Sequence, residues 1–421
     1  MTVSLTVVER GMMEGARGPG TAMAMRVLAD AASMLGAKRL VEISSAHIDG
    51  CLHHGDGGVE FAERLARGSD GVAVPTTLNV GALDLLQREH VKSDAARADM
   101  ARRQMDAYVG LGAEPTFTCA PYQIGHLPRR GEQVAWGESN AIAFVNSVLG
   151  ARTERYGDFL DACCAVTGRA PLYGLHLDEN RAAQVVVDLS RIPAEVVASD
   201  TFYPVLGTWL GLELGHEVAA LAGIPTTVVR DQLKALGAAA ASTGAVALFH
   251  VVGVTPEAPT LEAACRRPPA ELPTVGPTLA DLVPALDRLT TAADAEAIDA
   301  VAVGSPHFSF EEFRELVRLL AGRRLKLPFF ACTARATMAE LADGPWLDEL
   351  RGSGVSVVAD TCVVVAPILP EAGRVLMTNS GKFAHYAPSQ TGYEVVFGSL
   401  AECVESAIAG AVVRDLSSWG G

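Results

Sequence analysis

Residues 298–322 read IDAVAVGSPHFSFEEFRELVRLLAG and join a strand pattern directly to a helix pattern. The Val-rich run 298–304 is short and bounded by glycine, which is typical of a buried strand. After it, Ser309 and Glu312 form a capping-box signature for a helix that Gly322 ends. One apolar stripe runs along this helix, formed by Phe313, Leu316, Val317 and Leu320.

Further strand patterns alternate with helix patterns through most of the chain. They lie at 39–46, 244–254, 325–331 and 354–360. The order strand, helix, strand between 298 and 360 predicts a parallel sheet with helices on its faces, which is an α/β fold.

Two other segments have distinct patterns. Residues 83–111 contain no helix breaker and predict one long helix. Residues 255–278 are rich in proline, which disfavours both a helix and a central strand, so this segment is the best linker candidate. With 421 residues, the chain is long enough for two or three domains.

Composition excludes several classes of partner. The formal net charge of -15 argues against nucleic acid or an anionic membrane surface, since both require clustered Lys and Arg. The N-terminus lacks a signal-peptide pattern and no apolar run is long enough to span a bilayer. We therefore expect a cytoplasmic protein, in which the 8 cysteines stay reduced.

Small polar and histidine side chains gather in loops that follow strand patterns or precede helix patterns. The loops lie at 46–50, 75–81, 116–125, 136–147, 172–181, 304–309, 360–367 and 378–382. Each taken alone has a structural explanation, because Ser139, Asn140 or Ser305 could cap a helix and a lone histidine is usually a core or turn residue. Together they predict one polar cavity at the carboxyl ends of the strands, where α/β sheets bind ligands.

The loop 378–382 reads TNSGK and resembles the end of a phosphate-binding loop only superficially. That motif requires a glycine where Leu376 stands and a Ser or Thr where Phe383 stands. We therefore reject the phosphate-loop interpretation.

Three cysteines lie at predicted strand-to-loop junctions: Cys119, Cys332 and Cys362. They could converge on an iron-sulfur cluster or a metal ion, although no CxxC pair is present and three inert buried thiols are the alternative. Helix patterns contain Cys163, Cys164 and Cys403, which we interpret as core residues.

A set of longer motifs resembles aconitase X, a divergent branch of the aconitase superfamily. The motifs are TCAPY (118–122), WGESNAIAFVNSVLGART (136–153), PLYGLHLDENR (171–181), HVVGVTPEAP (250–259), GSPHFS (304–309), DTC (360–362) and MTNSGKFAHYAP (377–388). The resemblance extends from GMMEGARGPGTAMAM (11–25) to FGSLAECVESAIAG (397–410), which is essentially the whole chain.

The resemblance implies an aconitase-like fold of three α/β domains with mainly parallel sheets around a central cleft. We expect internal boundaries near 115–135 and 255–278, with segments exchanged between domains. In this family a small swivelling domain closes the cleft, fused or as a separate subunit. The chain leaves no room for it, so we expect a separate small subunit as partner.

The resemblance also implies a hydro-lyase that uses an iron-sulfur cluster of two or four irons, or a mononuclear iron, as a Lewis acid. Carried over to this sequence, the ligands are Cys119 and Cys362, with Cys332 as third choice and Cys51 as fallback. Four residues are expected to be catalytic: Ser380, Lys382, Glu138 and His307. The expected substrate-binding residues are His47, Asn79, Ser139, Asn140, His176, Ser305, Thr378 and Asn379.

The expected substrate is a hydroxy acid. The first choice is cis-3-hydroxy-L-proline, dehydrated to pyrroline-2-carboxylate. Mevalonate 5-phosphate is the alternative, although its phosphate would need several basic groups and only Lys382 stands near the polar loops, with Arg152 and Arg181 as helpers. Another hydroxy acid remains open, and an inactive regulatory or binding subunit is the alternative from a different class.

Overall fold

The structure is a computed structural model that describes residues 3–420. The chain folds into two compact units, each built from two segments. The first unit contains residues 3–83 and 93–182, and the second contains residues 84–92 and 183–420.

The first unit combines six helices and five short strands among its described residues. The helices are α1 (Val7–Met13), α2 (Gly18–Met34), α3 (Asp56–Gly68), α4 (Ala95–Gly110), α5 (Ser139–Phe144) and α6 (Leu160–Thr167). The strands are β1 (Leu40–Glu42), β2 (Ala46–Ile48), β3 (Thr76–Leu78), β4 (Ala135–Trp136) and β5 (Arg169–Pro171). A parallel sheet has the order β3-β2-β4, and β1 pairs with β5 antiparallel.

Two expectations for this part of the chain were wrong in detail. The strand expected at 39–46 is divided, because β1 and β2 belong to different sheets. The long helix expected at 83–111 is only α4, whose N-cap Asp94 accepts a hydrogen bond from the backbone N of Arg97 at 2.9 Å. Upstream, the Asp84 carboxylate accepts bonds from the backbone of Leu86 and Gln87, which stabilises a turn instead of a helix.

The second unit contains the other helices and strands. Its helices are α7 (Ala194–Val197), α8 (Phe202–Leu214), α9 (Arg230–Thr243), α10 (Leu261–Cys265), α11 (Leu279–Arg288), α12 (Phe310–Leu320), α13 (Arg335–Ala342), α14 (Trp346–Ser353), α15 (Gly381–Thr391) and α16 (Leu400–Ala409). Its strands are β6 (Val185–Asp188), β7 (Ala219–Ala222), β8 (Phe249–Val251), β9 (Thr274–Val275), β10 (Ala300–Phe308), β11 (Phe329–Thr333), β12 (Val355–Ala359), β13 (Val375–Thr378) and β14 (Glu394–Phe397).

These strands form two parallel sheets, with the orders β8-β7-β6-β9 and β12-β11-β10-β13-β14. The parallel sheet predicted from residues 298–360 is confirmed. The predicted helix is α12, and Ser309 and Glu312 form the expected capping box. Its stripe residues Phe313, Leu316 and Leu320 are buried in the core that covers one face of the five-stranded sheet.

The proline-rich segment 255–278 contains more regular structure than expected. It forms the short helix α10 and the strand β9, which pairs with β6 at the edge of the four-stranded sheet. Proline-rich sequence is tolerated at the edge of a sheet. Proline has no backbone N–H to donate, and one side of an edge strand has no neighbouring strand to bond to. The expected boundaries near 115–135 and 255–278 stay predictions.

Across residues 3–420, none of the helices combines the length and the apolar character required to cross a membrane.

Candidate functional site

In the first unit, polar side chains stand at the carboxyl ends of all three parallel strands. His47 of β2 lies in register with Thr77 of β3 and with Trp136 of β4. Side chains two residues apart on a strand point to the same face. Asp49, Asn79 and Glu138 follow these three residues at that spacing, so the sheet presents two polar rows near the end where α/β sheets bind ligands.

Asp49 is the centre of a buried acidic cluster. It accepts a hydrogen bond from Nδ2 of Asn79, and its backbone N donates to Oδ2 of Asp161 at 2.6 Å. Burial, reinforced by the nearby Glu138 and Asp161 carboxyls, raises the pKa of Asp49 to about 8. Burial likewise raises the pKa of Asp161 to about 6. Asp49 therefore exchanges its proton near neutral pH, as a proton carrier must.

Gly137 gives this cluster its space. A Cβ atom on Gly137 would lie 2.2 Å from Oδ2 of Asp161 and 3.0 Å from Cβ of Asp49. Any other residue at position 137 would push the two carboxyls apart.

Glu138 is the N-cap of α5, a position that Ser139 or Asn140 was expected to hold. Its Oε2 accepts from the backbone N of Ala141 at 2.8 Å and from Nδ2 of Asn140, and Ser139 Oγ donates to Oε1 at 3.2 Å. Asn140 Nδ2 also donates to the carbonyl oxygen of Cys119 at 2.9 Å. Asn140 therefore ties the loop of Cys119 to the Glu138 carboxylate.

Two imidazoles in the first unit share one hydroxyl group. Nδ1 of His47 lies 2.8 Å from Oγ1 of Thr77, and Nδ1 of His126 lies 2.9 Å from the same oxygen. The Trp136 ring packs against both, with centroid distances of 5.8 Å to His47 and 5.0 Å to His126. Burial lowers the pKa of His47 and, to about 4, the pKa of His126, so both rings are neutral at pH 7.

His176 lies apart from these rows and has a partner on each ring nitrogen. Nδ1 lies 2.5 Å from Oε1 of Gln133, and Nε2 bonds to the hydroxyl of Tyr156. Burial, together with Arg181 and Arg152, lowers the pKa of His176 to about 3. These contacts give His176 a packing role, and its expected contact with substrate stays a prediction.

In the second unit, the turn between β13 and α15 carries several of the expected site residues. Ser380 is the N-cap of α15: its Oγ accepts from the backbone N of Phe383 at 2.9 Å and donates to the carbonyl oxygen of Ser305. Oγ1 of Thr378 accepts from the backbone N of Ser380 at 3.1 Å. The Ser305–Pro306 peptide bond is cis.

This turn borders a small cavity whose lining includes Ser305, Asn379, Ser380, Lys382 and Lys234. Backbone N–H groups at the start of α15 and the Lys382 side chain make this wall attractive to an anion. Lys234 adds little positive charge, because it pairs with Asp231 at 2.9 Å and with Glu312. Burial alone would lower its pKa, but these two carboxylates raise the pKa of Lys234. The lysine therefore stays protonated, and the two carboxylates balance its positive charge.

His307 is fully buried behind this wall. Its Nε2 lies 3.1 Å from the carbonyl oxygen of Thr361, and it is not among the described residues that line the cavity. Burial, with Lys234 and Lys382 nearby, lowers the pKa of His307 to about 3. A neutral, enclosed imidazole is a weak proton acceptor, and its expected catalytic role stays a prediction.

The three expected metal ligands are divided between the units. Cys119 lies in a loop of the first unit, whereas Cys332 on β11 and Cys362 after β12 belong to the second. Cys332 alternates with the core residues Phe329 and Ala331, so its thiol lies on the opposite face of the sheet.

Thiolates suit iron chemically. Within the described part of either unit, however, no three His, Cys, Asp or Glu side chains form a group that could hold a metal ion. The fallback Cys51 is a poor ligand, because burial and then Asp161 and Asp49 raise the pKa of its thiol far above the ordinary value. The ligand set stays a prediction.

Sequence reasoning missed five residues of these candidate sites: Asp49, Thr77, His126, Asp161 and Lys234. Asp49 and Thr77 stand inside the polar loops 46–50 and 75–81. Asp49 lies two residues after His47 and Thr77 two residues before Asn79, and on a strand this spacing places both side chains of a pair on the same face. His126 and Lys234 come from distant parts of the chain, so no local pattern marks them.

Three family models match this chain in succession. The aconitase X first domain matches residues 2–179, the second domain 183–283 and the third domain 298–409. The chain belongs to the aconitase X family.

Its relatives include dehydratases of two names. Cis-3-hydroxy-L-proline dehydratase of Pseudomonas aeruginosa is 41% identical over 99% of this chain and 72% of its own length. Phosphomevalonate dehydratase large subunit of Methanothermobacter thermautotrophicus is 38% identical over 94% of this chain and 96% of its own length. The predicted hydro-lyase class is confirmed by these relatives.

A solved structure supports the fold. The crystal structure of Thermococcus kodakaraensis aconitase X in its holo-form matches with a TM-score of 0.86 at 33% identity, covering 96% of this chain and 100% of that chain. The predicted aconitase-like α/β fold is confirmed.

Proposed function

We propose that this chain is the catalytic large subunit of a cis-3-hydroxy-L-proline dehydratase. The observation that carries the proposal is that the described residues offer both an acidic site and a cationic site, one in each unit. The first unit presents the carboxyls of Asp49 and Glu138, whereas the second presents the start of α15 with Lys382. Carboxyl side chains suit an ammonium group and a helix start with a lysine suits a carboxylate, and cis-3-hydroxy-L-proline carries both groups.

Mevalonate 5-phosphate is the weaker candidate. Its phosphate and carboxylate are both anionic, and a phosphate is usually held by several cationic groups. In the second unit the cavity lining includes two lysines, and one of them, Lys234, is already paired with Asp231 and Glu312. The two identities of 41% and 38% are too similar to decide between the substrates.

The proposed chemistry removes the proton on the carbon next to the carboxylate and the hydroxyl on the following carbon. Lys382 and the first backbone N–H groups of α15 hold the carboxylate and stabilise the enediolate-like charge that develops on it. Ser380, Asn379 and Thr378 supply short donors that fix its orientation. Asp49 and Glu138 are the first candidates for moving the proton, with His307 second.

We propose that iron, as an iron-sulfur cluster or a single ion, is bound through Cys119, Cys332 and Cys362. When bound, it would act as a Lewis acid toward the substrate hydroxyl. The support is the thiol chemistry of these residues and their positions at strand ends. We also propose a cytoplasmic location, where the expected thiol ligands stay reduced.

We further propose a separate small subunit as partner. This chain covers 96% of a relative named as a large subunit but 72% of the Pseudomonas dehydratase, which is consistent with a division of the longer protein into two chains.

The test is anaerobic expression of the chain with and without a candidate small subunit, followed by iron analysis and assays of water loss from both substrates. We expect an iron-containing complex that dehydrates cis-3-hydroxy-L-proline. Activity on mevalonate 5-phosphate alone would reverse the substrate assignment. An iron-free, inactive complex would favour a regulatory subunit, and full activity of the chain by itself would contradict the need for a partner.

A further inference from the structure

His47, Thr77 and His126 form a continuous hydrogen-bonded row inside the first unit. The two ring nitrogens that face Thr77 lie 2.8 Å and 2.9 Å from its hydroxyl oxygen. His47 is fully buried at the end of β2, two residues before Asp49. His126 reaches the same hydroxyl from the loop after Pro121–Gln123, and the residue as a whole is partly exposed.

The chemistry of one hydroxyl fixes the protons of both rings. A threonine hydroxyl has one proton to donate, and a neutral imidazole carries one N–H. Among residues 3–420 the Thr77 hydroxyl has no acceptor other than these two rings. The arrangement that uses every group therefore has one ring donating Nδ1–H to Thr77 while Thr77 donates to Nδ1 of the other ring.

The far nitrogens of the row have no partner within the described chain. Nε2 of His47 and Nε2 of His126 are both buried and lack a hydrogen bond. By the tautomer rule, one of these nitrogens is a bare acceptor and the other is an N–H donor. If the row were only structural, both end nitrogens would be expected to have hydrogen-bond partners. Instead, both lack a partner, and one is an acceptor while the other is a donor.

We propose that His47, Thr77 and His126 are a proton relay that serves the dehydration reaction, with His47 as its inner end. The inference rests on the proposed function, because it needs a reaction that removes a proton from the substrate. It assigns catalytic roles to Thr77 and His126 in addition to the expected substrate contact of His47.

The proton balance is complete along the row. His47 Nε2 accepts the proton released by the substrate or by the Asp49 carboxyl, and His47 Nδ1 passes its own proton to Thr77. Thr77 passes its hydroxyl proton to Nδ1 of His126, and His126, the partly exposed end of the row, passes its Nε2 proton on toward solvent. No ring becomes a lasting imidazolium, as expected where burial lowers the pKa of both. The reverse shift delivers a proton inward to the hydroxide that leaves the substrate, which completes the loss of water and resets the tautomers.

The experiment compares Thr77→Val, which keeps the shape but removes the hydroxyl, with Thr77→Ser, which keeps the hydroxyl. Both are measured in the complete iron-containing complex with whichever of the two substrates the wild-type enzyme dehydrates. We expect kcat to fall roughly a hundredfold in Thr77→Val with KM nearly unchanged, the scale of a lost acid–base contribution. Thr77→Ser should restore most of kcat.

A buried threonine elsewhere in the same unit supplies the matched control. Thr167 donates to the carbonyl oxygen of Cys163 at 2.8 Å, and Thr167→Val loses a buried hydroxyl of the same kind without touching the row. It should keep the wild-type kcat. Rates in mixtures of H2O and D2O add a readout that a packing defect does not change: the wild-type rate should curve with deuterium fraction, and the Thr77→Val rate should be linear.

The relay is overturned if Thr77→Val keeps the wild-type rate, or if Thr77→Ser is as slow as Thr77→Val. If Thr77→Val fails to fold, His126→Gln decides, because the loop position is partly exposed; an unchanged rate and an unchanged curve would exclude the relay. Dehydration by the wild-type complex together with normal rates in these variants would refute the relay and leave the proposed function intact.

Discussion

The Asn79 side chain donates a hydrogen bond to the carboxyl of Asp49, and the two residues follow neighbouring strands of one parallel sheet. This bond favours the charged form of Asp49, yet burial and the nearby Glu138 and Asp161 carboxyls prevail and raise its pKa to about 8. The fold therefore holds an acid near neutrality at the point where ligands of α/β sheets bind.

Replacing the Asp49 carboxyl should weaken recognition of an ammonium group, because a bound positive charge favours the ionised form of this acid. Hydrogen bonds to charged groups contribute about 1.5–3 kcal/mol, so Asp49→Asn should lower kcat/KM for cis-3-hydroxy-L-proline roughly tenfold to a hundredfold. The control is Asp106→Asn, at an exposed position of the same unit. Equal steady-state kinetics for the two variants would contradict the role of Asp49.

The pH dependence of stability should carry the signature of the same carboxyl. Its pKa rises from 3.8 to about 8 on folding, so between these values the native state binds more protons than the unfolded state. Stability contributed by the protonated form is then present at low pH and lost as the pH rises through about 8. In urea titrations at pH 5 to 8, Asp49→Asn should show a smaller loss of unfolding free energy than the wild type. An identical slope would mean that Asp49 is not buried as described.

Ser380 and Ser399 are both N-caps, of α15 and of α16, but only Ser380 lines the candidate cavity. Loss of either cap should cost about 1 kcal/mol of stability, measurable by chemical denaturation. Ser380→Ala should also lower kcat/KM, because the hydroxyl orients the wall that receives the carboxylate. Ser399→Ala should leave the kinetics unchanged, and a matching loss of activity there would indicate a stability effect alone.

Iron content tests the expected ligands. Cys119→Ser and Cys362→Ser should each lower the iron bound per complex and abolish dehydration, since thiolates are the expected donors. Cys403→Ala is the control, because Cys403 lies on α16 and is buried in the core. Full iron content in either serine variant would remove that cysteine from the ligand set.

Part of the fold was accessible from local sequence. The strand at 300–308 and the helix that follows it were predicted because apolar periodicity and the Ser309–Glu312 capping box depend on neighbours in the chain. The helix expected at 83–111 failed because the Asp84 side chain competes for backbone N–H groups, an effect that composition does not reveal.

The candidate site divides in the same way. The sequence identified Asn79, Glu138, Ser380 and Lys382, since each stands in a polar loop beside a strand or helix end. It did not identify His126, which reaches the Thr77 hydroxyl from 49 residues away. It also assigned a proton-carrying role to His307 without knowing that the ring is fully buried.

By itself, the sequence determined the family, the α/β class and the residue types available for chemistry, because these depend on motifs and on short-range periodicity. Tertiary structure decided which of those residues meet and how each is solvated. Burial converts Asp49 into an acid with a pKa near 8, and strand register places Thr77 between two imidazoles. Both effects arise from contacts between distant segments, and such contacts form only when the chain is folded.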